Sequence, residues 1–150
     1  MMTLVPDTLE MALELLDKAN CLINLNRKME AIRTYERYLH ITDNVEEIAS
    51  VLFNVGKTYD GIGDSIKAVG YYRRILNMES LLMKSAKGNP HMKMFLIIIK
   101  HYMHMDKEAE EEFNILYEKH KADVDSMTWN RYREVLKVDR MCHYVVRRIQ

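Results

Sequence analysis

The segment NVGKTYDGIGDSIKAVGYYRRIL, residues 54–76, combines glycines, small residues and tyrosines at regular spacings. Gly61 and Gly63 stand close together and Asp64 follows them, which is typical of a turn that leads into the N-terminus of a helix. The residues on both sides keep helical periodicity. The segment contains no GxSxG motif, no phosphate-binding loop and no CxxC pair. It predicts two helices joined by a short turn, without a catalytic centre.

Few helix breakers interrupt the chain of 150 residues, which contains five Gly and two Pro. We therefore expect an all-α protein. Asp7 with Glu10, and Asp43 with Glu46, have the spacing of capping residues at helix N-termini. The first helix is expected to bury a stripe formed by Met11, Leu15, Ala19 and Leu22. The first expected helix begins at Asp7, and the second runs through Ala31, Tyr35 and Leu39 and ends near residues 40–44. The third runs from Asp43 to Gly61, and the fourth from Ser65 as far as Ser85. Three more are expected over about 91–104, 107–121 and 126–137, and a last helix ends near Ile149.

The composition bounds the class of protein. Lys plus Arg and Asp plus Glu both total 22, so no net charge attracts the whole molecule to nucleic acid or to an anionic membrane. The longest apolar run, Met94 to Ile99, is far shorter than the ~20 residues that span a bilayer. Cys21 and Cys142 are far apart, no secretory signal precedes them, and Cys21 is expected in the core. We expect a cytoplasmic protein without a membrane span, and a nuclear location stays open.

An internal repeat appears when the sequence is shifted by 37 residues. The shift matches Leu15 with Leu52, Ala31 with Ala68, Tyr35 with Tyr72, Arg37 with Arg74 and Leu39 with Leu76, and it pairs Ala19 with Gly56 and Leu22 with Tyr59. Small residues allow two helices to approach closely, so we expect Gly56 to face Ala68, and Ala19 to face Ala31. The tyrosine one turn after each alanine is expected to pack against the following helix.

These residues resemble the tetratricopeptide repeat, whose pattern combines L-G-x2-Y with A-x3-F. Residues 54–76 supply Gly56, Tyr59, the turn glycine Gly63, Ala68 and Tyr72. An earlier unit has Ala19, Ala31 and Tyr35, but Leu22 replaces the tyrosine and Asn26 the turn glycine. A third unit rests on Ala109, Phe113 and Leu116. The resemblance covers about two thirds of the chain.

The resemblance implies a fold of antiparallel helix pairs stacked as a short right-handed superhelix within one domain over residues 1–150. The repeats would cover about 12–43, 49–82 and 91–121, with capping helices over about 123–149. It also implies a non-enzymatic adaptor or scaffold subunit that binds a peptide or helix of a protein partner in a concave groove. The groove would be lined by Leu16, Asn20, Asn24, Phe53, Asn54, Lys57, Met94, Ile98 and His101. The residues that pack the repeats would be Ala19, Ala31, Tyr35, Gly56, Tyr59, Ala68, Tyr72, Ala109 and Phe113.

One branch of the family binds the C-terminal carboxylate of heat-shock chaperones with two asparagines and several basic residues. Asn20 and Asn54 stand where that branch has its asparagines, but Leu16 replaces the first basic residue. His91 and Phe95 fall near the positions of the later basic residues. The resemblance therefore implies chaperone-tail binding only as an alternative, and it favours an apolar or helical ligand.

Other chemistry has weaker signals. His101, His104 and Glu108 have metal-ligand spacing on one expected helix, but no second cluster accompanies them, so we expect no metal and no cofactor. Cys142 and His143 are adjacent and so point in different directions on a helix. A second alternative is nucleic-acid binding, which the zero net charge disfavours. It would use basic residues interleaved with aromatics, namely Arg131, Arg133, Lys137, Arg140, Arg147 and Arg148 with Trp129, Tyr132 and Tyr144.

Overall fold

The computed structural model describes the backbone of residues 6–149 and the side chains of residues 10–137. All regular structure within this range is helical, which confirms the all-α prediction. The helices are α1 Pro6–Asn24, α2 Lys28–Leu39, α3 Val45–Ile62, α4 Ser65–Asn77, α5 Glu79–Ser85, α6 Pro90–Tyr102, α7 Asp106–His120 and α8 Ser126–Ile149.

The chain divides into two compact units, Met1–Met78 and Glu79–Gln150. In the first unit α1 packs against α2 and α3 packs against α4, and contact between α2 and α3 joins the two pairs. In the second unit α6 packs against α5 and α7, and α8 contacts both α6 and α7. The expectation of a single domain over residues 1–150 stays a prediction.

Local chemistry explains the turn between α3 and α4. Gly63 ends α3 in the left-handed conformation, with φ of 91°, where a side chain would be strained. Asp64 then caps α4, because its carboxylate accepts a hydrogen bond from the backbone N–H of Lys67 at 3.1 Å. The turn predicted from these residues is confirmed.

Close approach at Gly56 explains the packing of α3 against α4. A Cβ atom built on Gly56 would lie 2.4 Å from Cε1 of Tyr72, so only glycine leaves room for the ring. The Tyr72 hydroxyl donates a hydrogen bond to Asp60 on the same helix as Gly56, at 2.7 Å. Gly56 was expected to face Ala68, and Tyr72 to pack on the following helix. The Tyr72 ring occupies the space beside Gly56 on the preceding helix, and the two expected contacts stay predictions.

The core of the first unit includes the small and aromatic residues on which the repeat depends. Ala19, Ala31, Ala68 and Tyr72 have no exposed surface, and Tyr35 is 2% exposed. Gly56 and Tyr59 are also buried. Two residues of α1 that were expected to be buried are exposed. Met11 is 50% exposed, with Ala12 buried in its place, and Cys21 is also exposed.

The second unit has its own apolar core around Trp129. The core residues are Met94, Ile97, Ala109, Phe113, Leu116, Val124, Trp129 and Leu136. Lys100, at the end of the apolar run in α6, is also buried, and its ammonium group lies 2.6 Å from Glu112 and 3.3 Å from Glu108 of α7. Burial lowers the pKa of Lys100, but the hydrogen bonds with Glu112 and Glu108 outweigh it, so that pKa is raised. Glu108 and Glu112 of α7 thus share a buried partner. 

Several helix ends differ from the sequence expectation. The cap of α3 is Asn44, which accepts from the Glu47 N–H at 3.1 Å, and not Asp43. The helix from Ser65 ends at Asn77, and α5 is separate. The two helices expected over 126–149 form the continuous helix α8, which lacks an internal Gly or Pro. Among the described residues, no helix combines the length and apolar character that crossing a bilayer requires.

Candidate functional site

A cleft of about 450 Å³ opens in the first unit between α1, α2 and α3. Ligand sites in proteins have volumes of roughly 300 to 1,000 Å³, so the cleft is large enough for part of a peptide. Four residues that were expected to line a groove, Asn20, Asn24, Asn54 and Lys57, lie together here. The full lining is Asn20, Ile23, Asn24, Lys28, Tyr35, Asn54, Lys57, Thr58 and Gly61.

The hydroxyl group of Tyr35 on α2 contacts one of the asparagines in the lining. This hydroxyl donates a hydrogen bond to Oδ1 of Asn20 on α1, at 2.6 Å. Burial raises the pKa of Tyr35, and a side-chain hydrogen bond with Asn54 on α3 opposes part of that rise. Tyr35 of α2 therefore holds the Asn20 side chain of α1 at the wall of the cleft.

The charged residues in the lining are both lysines. Lys57 places its ammonium group 5.2 Å from the centre of the Phe53 ring, a distance at which a cation and an aromatic ring attract. Lys28, at the start of α2, donates to the backbone carbonyl of Gly61 across 3.4 Å. No carboxylate belongs to the lining as described, so the local charge favours an acceptor-rich or anionic ligand.

The backbone beneath the cleft is also fixed by hydrogen bonds. The hydroxyl of Thr58 donates to the carbonyl of Asn54 at 2.7 Å, within α3. This bond occupies the hydroxyl of Thr58, which leaves amide and ammonium groups as the polar chemistry of the lining. Amides offer both a donor and an acceptor, whereas the lysines offer donors alone. Such a surface can bind a peptide backbone or a carboxylate.

The other expected groove residues do not line this cleft. Leu16 and Phe53 are half-buried on α1 and α3. In the second unit Met94 is fully buried in the core and Ile98 packs partly buried against it. His101 is 1% exposed, and its Nδ1 lies 3.0 Å from Oδ1 of Asp106. Met94 and His101 therefore cannot be lining residues of an open groove within this unit, because their side chains are packed in its interior.

Sequence reasoning missed Lys28 as a lining residue and treated Tyr35 only as packing bulk. Both lie on α2, the second helix of its pair, whereas the resemblance led us to look for ligand contacts on first helices. A tyrosine placed next to the small residues where two helices meet is expected to be buried, and a buried hydroxyl needs a hydrogen-bond partner. The partner, Asn20, lies 15 residues earlier and could not be chosen from spacing alone.

The residues with metal-ligand spacing do not lie on one helix. His101 belongs to α6, but the helix ends at Tyr102, and His104 adopts a left-handed backbone with φ of 64° in the following turn. Glu108 lies near the Lys100 ammonium group. No group of three His, Cys, Asp or Glu side chains within the described part of the chain is arranged to hold a metal ion.

The arginines suggested for nucleic acid are described only in part. Arg133 stacks its guanidinium group 4.5 Å from the centre of the Tyr117 ring and so belongs to the aromatic cluster of the second unit. Arg131 is exposed on α8. Arg140, Tyr144, Arg147 and Arg148, together with Cys142 and His143, lie outside the described side chains. Nucleic-acid binding stays a hypothesis.

No protein-family model, curated protein or solved structure matches this chain.

Proposed function

We propose that the chain is a non-enzymatic adaptor or scaffold subunit whose first unit binds a segment of a protein partner in the cleft between α1, α2 and α3. One observation carries this proposal: Asn20, Asn24 and Asn54 converge with Lys28 and Lys57 on a single cleft. Convergent polar side chains on rigid helices are typical of a recognition surface. The proposed setting is the cytoplasm, and the proposed architecture is a tetratricopeptide-like superhelix.

Support for the repeat comes from packing within the first unit. The residues matched by the 37-residue shift include Ala31 with Ala68 and Tyr35 with Tyr72, and all four are buried. The small residues Ala19, Gly56 and their expected partners are buried as well, which supports the repeat. A scaffold of this kind presents the first helix of each pair to a ligand, which agrees with Asn20 and Asn24 on α1 and with Asn54 and Lys57 on α3.

The ligand chemistry follows from the lining. An extended peptide exposes alternating N–H and C=O groups, and asparagine side chains can pair with both. The Ile23 side chain adds apolar surface to the lining. Most of the exposed lining is apolar, and the amide and ammonium groups stand within it. Because these groups can bind backbone, we propose an extended segment in place of the apolar or helical ligand that the sequence alone favoured.

A second candidate is a chaperone-type C-terminal tail, and the two lysines favour it. Lys57 was expected to line the groove, and Lys28 adds a second ammonium group that the family resemblance did not imply. A terminal carboxylate gains charge-assisted hydrogen bonds from lysines, which are about twice as strong as neutral ones. Peptides with free and amidated C-termini distinguish the two candidates, because only a tail binder requires the free carboxylate.

The proposal is tested with a library of short synthetic peptides of random sequence, presented with free and with amidated C-termini. The variant Asn54→Ala/Lys57→Ala removes one amide and one ammonium group from the lining. Losing one neutral and one charged hydrogen bond costs about 2 kcal/mol or more, which corresponds to a loss of affinity of roughly thirtyfold. Retained peptides are therefore expected to bind this variant at least tenfold more weakly in a fluorescence-polarisation titration.

The matched control is Asn77→Ala/Lys84→Ala, which removes the same two residue types from exposed positions outside the cleft. The control is expected to bind like the wild type, and both variants to keep the helical circular dichroism of the wild type. Equal binding by the cleft variant and the wild type would contradict our location of the site. Retention of no peptide from either library by the wild-type chain would refute the proposed function itself.

A further inference from the structure

Large apolar side chains are exposed at matched positions of the two repeats in the first unit. The 37-residue shift pairs Leu25 with Ile62 and Met29 with Ile66. All four residues are at least 45% exposed, and Ile66 is 87% exposed. Single exposed apolar residues are common on protein surfaces, whereas a group of them marks an interaction site. Both repeats thus place apolar residues outside the core, near the turn that joins the two helices of a pair.

Three of these side chains lie together at the turn between α3 and α4. Met29, Ile62 and Ile66 form an apolar surface, here called the turn-edge patch, in a depression of about 400 Å³. The depression is also lined by Tyr59, Gly63, Asp64, Ser65 and Lys67. Tyr59 is buried, and its ring stacks on the Tyr71 ring with 5.5 Å between the ring centres. Packing within the first unit therefore fixes one wall of the depression.

The charged groups beside the turn-edge patch have partners within the first unit. Asp64 accepts a hydrogen bond from the backbone N–H of Lys67 at 3.1 Å, and the Lys67 ammonium group lies 5.4 Å from the centre of the Tyr59 ring. One carboxylate and one ammonium group balance each other in the lining as described. A charged ligand gains little from such a surface, whereas an apolar side chain would remove the patch from water.

The turn-edge patch adjoins the cleft between α1, α2 and α3. Lys28 and Gly61 line the cleft, and the next residue of each helix, Met29 and Ile62, lines the depression. The Lys28 ammonium group lies 3.4 Å from the carbonyl oxygen of Gly61. Consecutive residues of a helix point about 100° apart, so the two surfaces meet along this Lys28–Gly61 contact. A segment that leaves the cleft across the contact arrives at the patch.

We infer that the turn-edge patch binds a large apolar side chain of the same partner segment whose backbone lies in the cleft. The inference rests on the proposed function and adds a subsite that determines specificity. Amide and ammonium groups of the cleft can bind the backbone of any sequence, whereas the patch requires a residue such as Leu, Ile, Met or Phe beside it. Continuity of the two surfaces assigns the patch to this segment and not to a second copy of the chain.

A double-mutant cycle tests the contact, with a peptide retained from the amidated library as the probe. Retained peptides are expected to share one large apolar residue, and its replacement by serine should weaken binding roughly tenfold, the value of burying one aliphatic side chain. Ile66→Ser should weaken binding of the parent peptide roughly three- to tenfold and leave binding of the serine peptide unchanged. Independent losses that multiply in the double change would refute the contact.

The matched control is Leu81→Ser. Leu81 is 57% exposed on α5 and lines neither the cleft nor the depression as described. Both variants replace one exposed aliphatic residue by serine, so a general loss of surface apolarity would affect them equally. We expect Leu81→Ser to bind the parent peptide like the wild type, and both variants to keep the helical circular dichroism of the wild type. Equal weakening by the two variants would overturn the inference.

The patch can also be tested without a peptide, with N-acetyl-leucine amide as the probe. In nuclear magnetic resonance spectra of methyl-labelled wild type, the methyl signals of Met29, Ile62 and Ile66 are expected to shift saturably during the titration. The methyl signals of Leu81 are expected to stay unchanged. Shifts of equal size at Leu81, or unchanged signals at all three patch residues, would overturn the inference.

The outcomes separate this inference from the proposed function. If the cleft binds peptides and those without an apolar residue bind equally well, the subsite is refuted while the proposed function stands. If the wild type binds no peptide, the proposed function fails; saturable shifts at the patch would then still support an apolar site, and their absence would remove it too. A wild-type dimer in sedimentation equilibrium that Ile66→Ser dissociates would overturn the proposed occupant in favour of a second copy.

Discussion

Replacing Gly56 by alanine tests the packing that holds the first unit together. Alanine favours a helix over glycine by about 1 kcal/mol, so the substitution would stabilise α3 if packing were neutral. The new Cβ would lie 2.4 Å from Tyr72 Cε1, whereas ordinary contacts begin at 3.4 Å. The ring would therefore have to move by about 1 Å, and Tyr72 is fully buried.

The expected magnitude follows from these opposing effects. Overpacking a core costs about 1 to 3 kcal/mol, and weakening the hydrogen bond from Tyr72 to Asp60 costs about 1 kcal/mol more. The gain in helix propensity offsets about 1 kcal/mol. Gly56→Ala should thus lower the free energy of unfolding by about 1 to 3 kcal/mol, measured by urea denaturation with circular dichroism.

Gly70 supplies the matched control within α4. A Cβ atom at Gly70 would meet nothing within 4 Å, so Gly70→Ala should stabilise the protein by up to about 1 kcal/mol. In a Tyr72→Ala background the clash is absent, and Gly56→Ala should become neutral or stabilising. If Gly56→Ala alone were as stable as the wild type, the ring of Tyr72 could not occupy the position that we describe.

Three further predictions concern other contacts. Lys100→Met should destabilise the protein by about 3 kcal/mol, because it leaves Glu112 without its buried partner. The control Lys93→Met, at a half-exposed pair with Glu79, should cost about 1 kcal/mol or less. Comparable losses of the two variants in urea denaturation would argue against a buried Lys100–Glu112 pair. Asn44→Ala should cost about 1 kcal/mol as the loss of a helix cap and Asp43→Ala almost nothing, and the reverse order in thermal unfolding would mean that Asp43 is the cap. Burial and a hydrogen bond to Glu36 raise the pKa of Tyr71 in the folded protein. Its contribution to stability is therefore complete below the unfolded pKa of about 10 and is lost as pH rises through the higher folded pKa. Tyr71→Phe should lose this pH dependence, and a stability profile of the variant from pH 8 to 12 that matches the wild type would contradict the prediction.

The sequence predicted those parts of the fold that depend on short-range chemistry. Gly63 with Asp64 marked a turn, because a left-handed glycine and a capping carboxylate act within a few residues. The prediction of the α3 cap failed because two adjacent residues have the spacing of a capping residue: Asp43 and Asn44 each precede a glutamate by three residues.

Part of the site was predictable only through the resemblance to the repeat family. Asn20, Asn24, Asn54 and Lys57 were assigned to one surface because that family presents the first helix of each pair to its ligand. The contribution of α2 could not be foreseen, since the bond from Lys28 to the Gly61 carbonyl joins residues 33 positions apart. Burial of Lys100 was missed for a similar reason, because its partners lie on another helix.

Mapping a bound peptide onto the chain shows whether the cleft between α1, α2 and α3 is the binding site. Wild-type protein labelled with ¹⁵N is titrated with a peptide retained from the amidated library, and chemical-shift changes are recorded for backbone and asparagine side-chain amides. We expect the largest changes at Asn20, Asn24 and Asn54, and their loss in Asn54→Ala/Lys57→Ala. Saturable changes confined to residues 79–137, with the amides of the cleft unmoved, would contradict it.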